Sequence, residues 1–191
     1  VSGLDFTKVA DILLYNPREP LLFSSGAFLF IFLVFMIGYY CLRNKVDARL
    51  LFVTLFSYYF FYKSSSFYFL LLLIVTVSDF YIARRVAKGK HPKLWLALTL
   101  LIDLGLLAYF KYTNFFAGMV TQMIGGNFQP WDIFLPVGIS FYTFKTISYV
   151  VDIYRKKAEP MESLLDYAFY VSFFPTLLAG PITRATDFGP Q

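Results

Sequence analysis

LLFSSGAFLFIFLVFMIGYYCL, residues 21–42, carries no charged side chain. As a helix it is about 33 Å long, enough to cross a hydrocarbon core of roughly 30 Å. Within lipid every backbone N–H and C=O must be paired inside the protein, and a helix does this with its own residues. The stretch therefore sets the fold class: all-α and polytopic, with water as the minor solvent. The whole chain agrees, being 58% hydrophobic, 21% aromatic and only 15% charged, well away from the composition of a soluble domain.

Working outward, further spans are predicted over residues 50–62, 64–83, 94–110, 133–151 and 164–179, about six transmembrane helices in all. The run at 50–62 is short, bounded by Arg49 and Lys63, so that these are expected to snorkel or the bilayer to thin. Residues 1–20 mix polar groups with Val9, Ile12 and Leu13 and are expected to form an interfacial segment. Residues 111–132 are read as a surface helix that breaks at Gly125-Gly126 and Pro130. No repeat or linker divides the chain, so residues 1–191 are read as a single membrane domain.

Charge gives the orientation. RNKVDAR (43–49), RRVAKGKHPK (84–93) and YRKK (154–157) follow the first, third and fifth spans, and so fall on one side. By the positive-inside rule that side is cytoplasmic and the N-terminus lies outside. The net charge of +5 is confined to these loops and forms no stripe suited to nucleic acid. Cys41 is the single cysteine and His91 the single histidine, which excludes an internal disulfide and a Cys/His zinc site.

Several residues stand out against lipid. Asp79 and Asp103 lie inside spans, where a carboxylate is costly, and read either as relay groups or as structural hydrogen-bond partners of a neighbouring helix. Ser140, Tyr142, Thr143, Thr146, Ser148 and Tyr149 make residues 139–151 hydroxyl-rich, the mark of a helix-packing face or of a polar tunnel wall. Asp152 and Arg155 follow at i, i+3 spacing, suited to a local ion pair. Lys111 and Asn114 share a helix face where a span ends; a lysine there also snorkels to headgroups. Pro175 and Gly180-Pro181 interrupt the last span, which lipid tolerates only beside protein or a water-filled cavity. Arg184 follows the break, placed to bind an anionic group or lipid phosphate. No intramembrane histidine, Walker loop or nucleophile elbow is present.

FKYTNFF (110–116), LPVGISFYTF and ISYVVDIYR (135–144 and 147–155) and FYVSFFPTLLAGPITRATDF (169–188) together resemble the membrane-bound O-acyltransferase family, in its alginate O-acetyltransferase and D-alanyl-lipoteichoic acid branch. The resemblance implies a bacterial inner-membrane enzyme that moves an acetyl or similar acyl group to hydroxyls of an extracytoplasmic polysaccharide. It implies no bound cofactor or metal. The donor would be acetyl-CoA or another acyl thioester on the cytoplasmic side, with membrane lipid and an extracytoplasmic acetyltransferase as partners. The family's catalytic histidine would lie beyond Gln191, so residues 1–191 are expected to be part of a longer protein and inactive alone. Carried over by motif, Arg155 is the leading activity-supporting residue, with Asp152, Lys111, Tyr112, Asn114, Pro181 and Arg184 shaping or lining the donor path. Lys145 departs from the uncharged or acidic residue expected there. Two other classes fit the residues alone: a transporter or lipid flippase, which should show paired halves with matching interruptions, and a non-catalytic assembly subunit.

Overall fold

The structure is a computed structural model describing Tyr15, Leu21 and residues 25–179; it is helical throughout, with no strand among the described residues. The helices are α1 (Gly26–Cys41), α2 (Val46–Ser65), α3 (Phe69–Lys88), α4 (Pro92–Met123), α5 (Ile139–Tyr154), α6 (Leu164–Ser172) and α7 (Phe174–Ala179). The predicted interfacial segment, Pro181 and Arg184 lie outside the described residues, Tyr15 excepted.

Connections of three or four residues make α1 to α4 antiparallel in turn, and after the longer loop 124–138 the Val137 N–H donates to Ser65 Oγ at 3.0 Å, so α5 starts at the α2–α3 turn and runs antiparallel to α4. The α1–α2 pair is laced by rings: Phe35 meets Phe52 at 5.4 Å and Phe28 meets Phe60 at 5.7 Å. The α2–α3 hairpin turns through a single 3-10 turn, Ser66–Tyr68, and the Tyr58 hydroxyl donates to Thr76 Oγ1 at 3.3 Å across it. Phe110 of α4 returns to Tyr68 at 5.7 Å. Helices α3, α4 and α5 pack mutually, and α6 lies against α2 and α3. All the basic loops consequently gather at one end of the bundle.

Several helices differ from the expected spans. Helix α1 starts at Gly26, where the Ser25 hydroxyl accepts the Phe28 N–H at 3.2 Å as an N-cap. Helix α2 runs through both Arg49 and Lys63, and Lys63 is only 5% exposed; it is packed in the protein and does not snorkel out. Helix α4 continues to Met123, so residues 111–123 are no separate surface helix. At 1.5 Å per residue Lys111 lies about 28 Å from the start of α4, at the far edge of a hydrocarbon core, and the remainder extends beyond it.

The last span is interrupted at Phe173, whose φ of −50° and ψ of 108° leave the helix. Pro175 then sits in the first turn of α7, where its missing N–H costs nothing. The break is stitched to α2 by the Phe174 N–H, which donates to Ser57 Oγ at 3.3 Å. The Phe174 ring is 4% exposed and lies within 6 Å of Phe35, Phe56 and Phe60.

Other hydroxyls in the spans satisfy themselves on their own helix: Thr54, Ser57 and Thr76 donate to carbonyls four residues back, at 2.7–2.8 Å. The outward surface is apolar, with Leu29, Phe30, Leu33 and Ile37 of α1 and Leu94 and Leu101 of α4 all more than half exposed. Such a surface is suited to lipid and would associate in water.

Gly138 opens α5 at φ 74°, and a Cβ there would lie 2.6 Å from the Leu177 carbonyl oxygen. Gly138→Ala therefore meets both a left-handed backbone penalty and a backbone clash. It should destabilise the fold by on the order of 2 kcal/mol, read as a lower unfolding midpoint of the protein in detergent.

Candidate functional site: a polar junction inside the bundle

Helices α3, α4 and α5 meet at Asp79, Asp103 and Thr146. These residues are 0%, 1% and 0% exposed. The Thr146 hydroxyl donates to Asp103 Oδ2 at 2.9 Å, so the structural hydrogen bond considered for Asp103 is present. Asp79 lies within hydrogen-bonding reach of Asp103, yet neither of its oxygens has a donor among the described residues. Tyr142, one turn before Thr146, and Tyr167 of α6 are fully buried, and their hydroxyls are likewise unpaired. No group of three His, Cys, Asp or Glu gathers at this junction or elsewhere among the described residues.

Towards the basic end, Tyr149, Tyr167 and Tyr170 form a ring cluster, with Tyr149 and Tyr167 at 4.7 Å. The Tyr149 hydroxyl accepts the Met161 N–H at 2.8 Å. Arg84 donates to the Met161 and Glu162 carbonyls and lies over the Phe80 ring at 4.3 Å, closing the α5–α6 loop onto α3. Lys145 is 4% exposed; its Nζ donates to Thr176 Oγ1 at 3.1 Å and lies over Tyr170 at 4.5 Å. The hydroxyl-rich face of α5 is thus turned into the bundle and packed against α3, α4 and α6. Tyr167 and Thr99 join this region although no sequence motif contains them, and Tyr170 joins it from within the stretch 169–188. The one usable signal is spacing, since Thr99 lies four residues before Asp103 on the same face.

The described residues among those carried over by motif lie at the two ends of the bundle, apart from this junction. Arg155 is the C-cap of α5 and is exposed. No ion pair among the described residues joins it to Asp152, which is 8% exposed, so the expected i, i+3 pair is not formed. Lys111 and Tyr112 are exposed at the opposite end, with the Lys111 ammonium 5.6 Å from the Tyr112 ring. Asn114 clamps the α4–α5 loop: its Nδ2 donates to the Trp131 carbonyl at 2.9 Å and its Oδ1 accepts the Trp131 N–H at 3.0 Å. Beside that clamp is a groove of about 920 Å³ lined by Tyr109, Thr113, Phe116, Phe128 and Trp131. A smaller aromatic crevice of about 310 Å³ borders the break, between Phe32, Phe35, Phe173 and Pro175.

An all-helical bundle with apolar spans and a buried hydroxyl face is the class of protein that the fold defines. The chain is similar to proteins named alginate O-acetylase and peptidoglycan O-acetyltransferase. It is 39% identical over 179 residues to the Probable alginate O-acetylase AlgI of Pseudomonas aeruginosa, covering 90% of this chain and 34% of that protein. It is 37% identical to the protein of the same name from Azotobacter vinelandii, covering 90% and 36%. It is also 31% identical over 202 residues to the Peptidoglycan O-acetyltransferase of Helicobacter pylori, covering 90% and 38%. The chain thus spans about a third of the length of these relatives. No family model and no solved structure matches it.

The Asn114 clamp is directly testable. Asn114→Ala removes both bonds to Trp131 and should raise backbone hydrogen exchange across residues 127–135, with a loss of about 1–2 kcal/mol. Asn114→Asp can still accept the Trp131 N–H and should fall between the two. Equal exchange in all three proteins would show that the clamp does not hold the loop.

Proposed function

We propose that this chain is part of a membrane O-acyltransferase that moves an acetyl or similar acyl group to hydroxyls of an extracytoplasmic polysaccharide. The observation that carries this reading is similarity to polysaccharide O-acetyltransferases over 90% of the chain. Its basic loops share one end, which the positive-inside rule makes cytoplasmic and which places the N-terminus outside an inner membrane. On this reading the donor is an acyl thioester such as acetyl-CoA, met at the basic end. A histidine downstream of Gln191 supplies general-base or acyl-carrier chemistry, so these residues alone do not turn over. An extracytoplasmic acetyltransferase would receive or pass on the group.

Arg155 fits the donor end. It is exposed, has no ion pair among the described residues and is followed by Lys156 and Lys157, also exposed. A guanidinium there is free to meet an anionic donor with charge-assisted hydrogen bonds.

In vesicles carrying the protein from its complete reading frame, labelled acetyl should pass from acetyl-CoA to an added polysaccharide. Arg155→Ala should raise KM for the donor about 10- to 100-fold, the value of one charge-assisted contact, and Arg155→Lys should recover part of it. Lipid movement without acyl transfer would favour a flippase. Wild-type turnover in Arg155→Ala would remove Arg155 from the donor path.

A further inference from the structure

The acyltransferase reading leaves the Asp79–Asp103 junction without a task. Two carboxyl groups lie within reach of each other, Asp79 at the middle of α3 and Asp103 about 17 Å from the start of α4 and so deep in a hydrocarbon core of roughly 30 Å, where water is scarcest. Thr146 is their one hydrogen-bond donor among the described residues, acting on Asp103 Oδ2. Asp79 Oδ1, Asp79 Oδ2 and Asp103 Oδ1 are buried acceptors with no donor among the described residues.

Among the described residues, the groups facing them do not supply a cation. On α5, Lys145 is engaged with Thr176 and the Tyr170 ring. On α3, Arg84 is committed to the Met161 and Glu162 carbonyls. Helix α4 contributes Thr99, and α5 and α6 contribute Tyr142, Tyr149, Tyr167 and Tyr170. Of these, the fully buried Tyr142 and Tyr167 hydroxyls have no partner among the described residues and lie within electrostatic reach of the carboxyls, Tyr142 of Asp103 and Tyr167 of both.

Two ionised carboxylates about 4 Å apart repel by about 4 kcal/mol even at an effective dielectric constant of 20. Each also bears a desolvation cost of several kcal/mol. A single proton removes one charge and turns the repulsion into an O–H···O bond, as in carboxyl pairs that share a proton.

We propose that Asp79 and Asp103 form a proton-binding site in the membrane interior, one proton held between the two carboxyls and bordered by Thr146, Tyr142 and Tyr167. The proton ties α3 to α4 as Thr146 ties α4 to α5. This inference does not depend on acyl transfer, and its test does not read activity.

The test is isotope-edited infrared spectroscopy of the complete protein in lipid nanodiscs at neutral pH, with ¹³C-labelled aspartate. A protonated-carboxyl C=O band is expected in the parent and should be lost in Asp79→Asn/Asp103→Asn. Amides keep the hydrogen-bonding shape, so this variant should fold; if it does not, the band should move or vanish in each single variant. The unfolding midpoint of the parent should not change when sodium or potassium is replaced by choline. The proposal is overturned by a parent lacking the band, by a band that either aspartate can lose unchanged, or by stabilisation with sodium or potassium, which would make the junction a cation site.

Discussion

A bilayer offers no water to an unpaired peptide group, so a span that breaks in mid-course must find partners on its neighbours. The break at Phe173 therefore governs the arrangement of the bundle. It is tolerated because Ser57, one helix away, accepts the Phe174 N–H, and because the Phe174 ring fills the seam between α1 and α2. Those contacts hold α2 against the end of α6, while Tyr167 and Tyr170 bring α6 against α5 and its tyrosine cluster. Gly138 completes the fit, since only a residue without a Cβ lets the start of α5 approach the Leu177 carbonyl.

With the break secured, the bundle separates two kinds of surface. Phenylalanine and leucine face outward on α1 and α4, where lipid receives them. Hydroxyls, carboxyls and a lysine are drawn inward around α5. Dispersion and ring packing hold the first region, and hydrogen bonding in a low dielectric holds the second, where each unmade bond is costly.

Much of this is legible in the sequence and some is not, for physical reasons. Uncharged runs announce the helices, but Arg49 and Lys63 look like limits of α2 although neither residue opposes a helix, and α2 runs through both. Helix α4 overruns its predicted end because nothing before Gly125 stops it; Gly118 alone is tolerated. Pro175 signals the interruption, but proline is accommodated in a first turn, so the break falls two residues earlier. Asp79 and Asp103 are visible as intramembrane charges. Their juxtaposition depends on the antiparallel register of α3 and α4, which no local pattern encodes. The spacing of Asp152 and Arg155 suggests an ion pair, yet Asp152 is turned into the bundle and buried while Arg155, the C-cap of α5, is exposed, so the two side chains face different surroundings. Asn114 stands out by motif, while its partner Trp131 lies across a loop of unpredictable path.

Central to this architecture is a polar face of α5 packed inward beside an interrupted α6–α7 span while the outer face meets lipid. A cryo-electron microscopy map of the complete protein in lipid nanodiscs tests this most directly. We predict that Thr146 will contact Asp103 with Asp79 alongside, and that the chain will leave the helix at Phe173 over Ser57. An unbroken helix through residues 164–179, or an α5 rotated so that Thr143 and Thr146 face lipid, would contradict it.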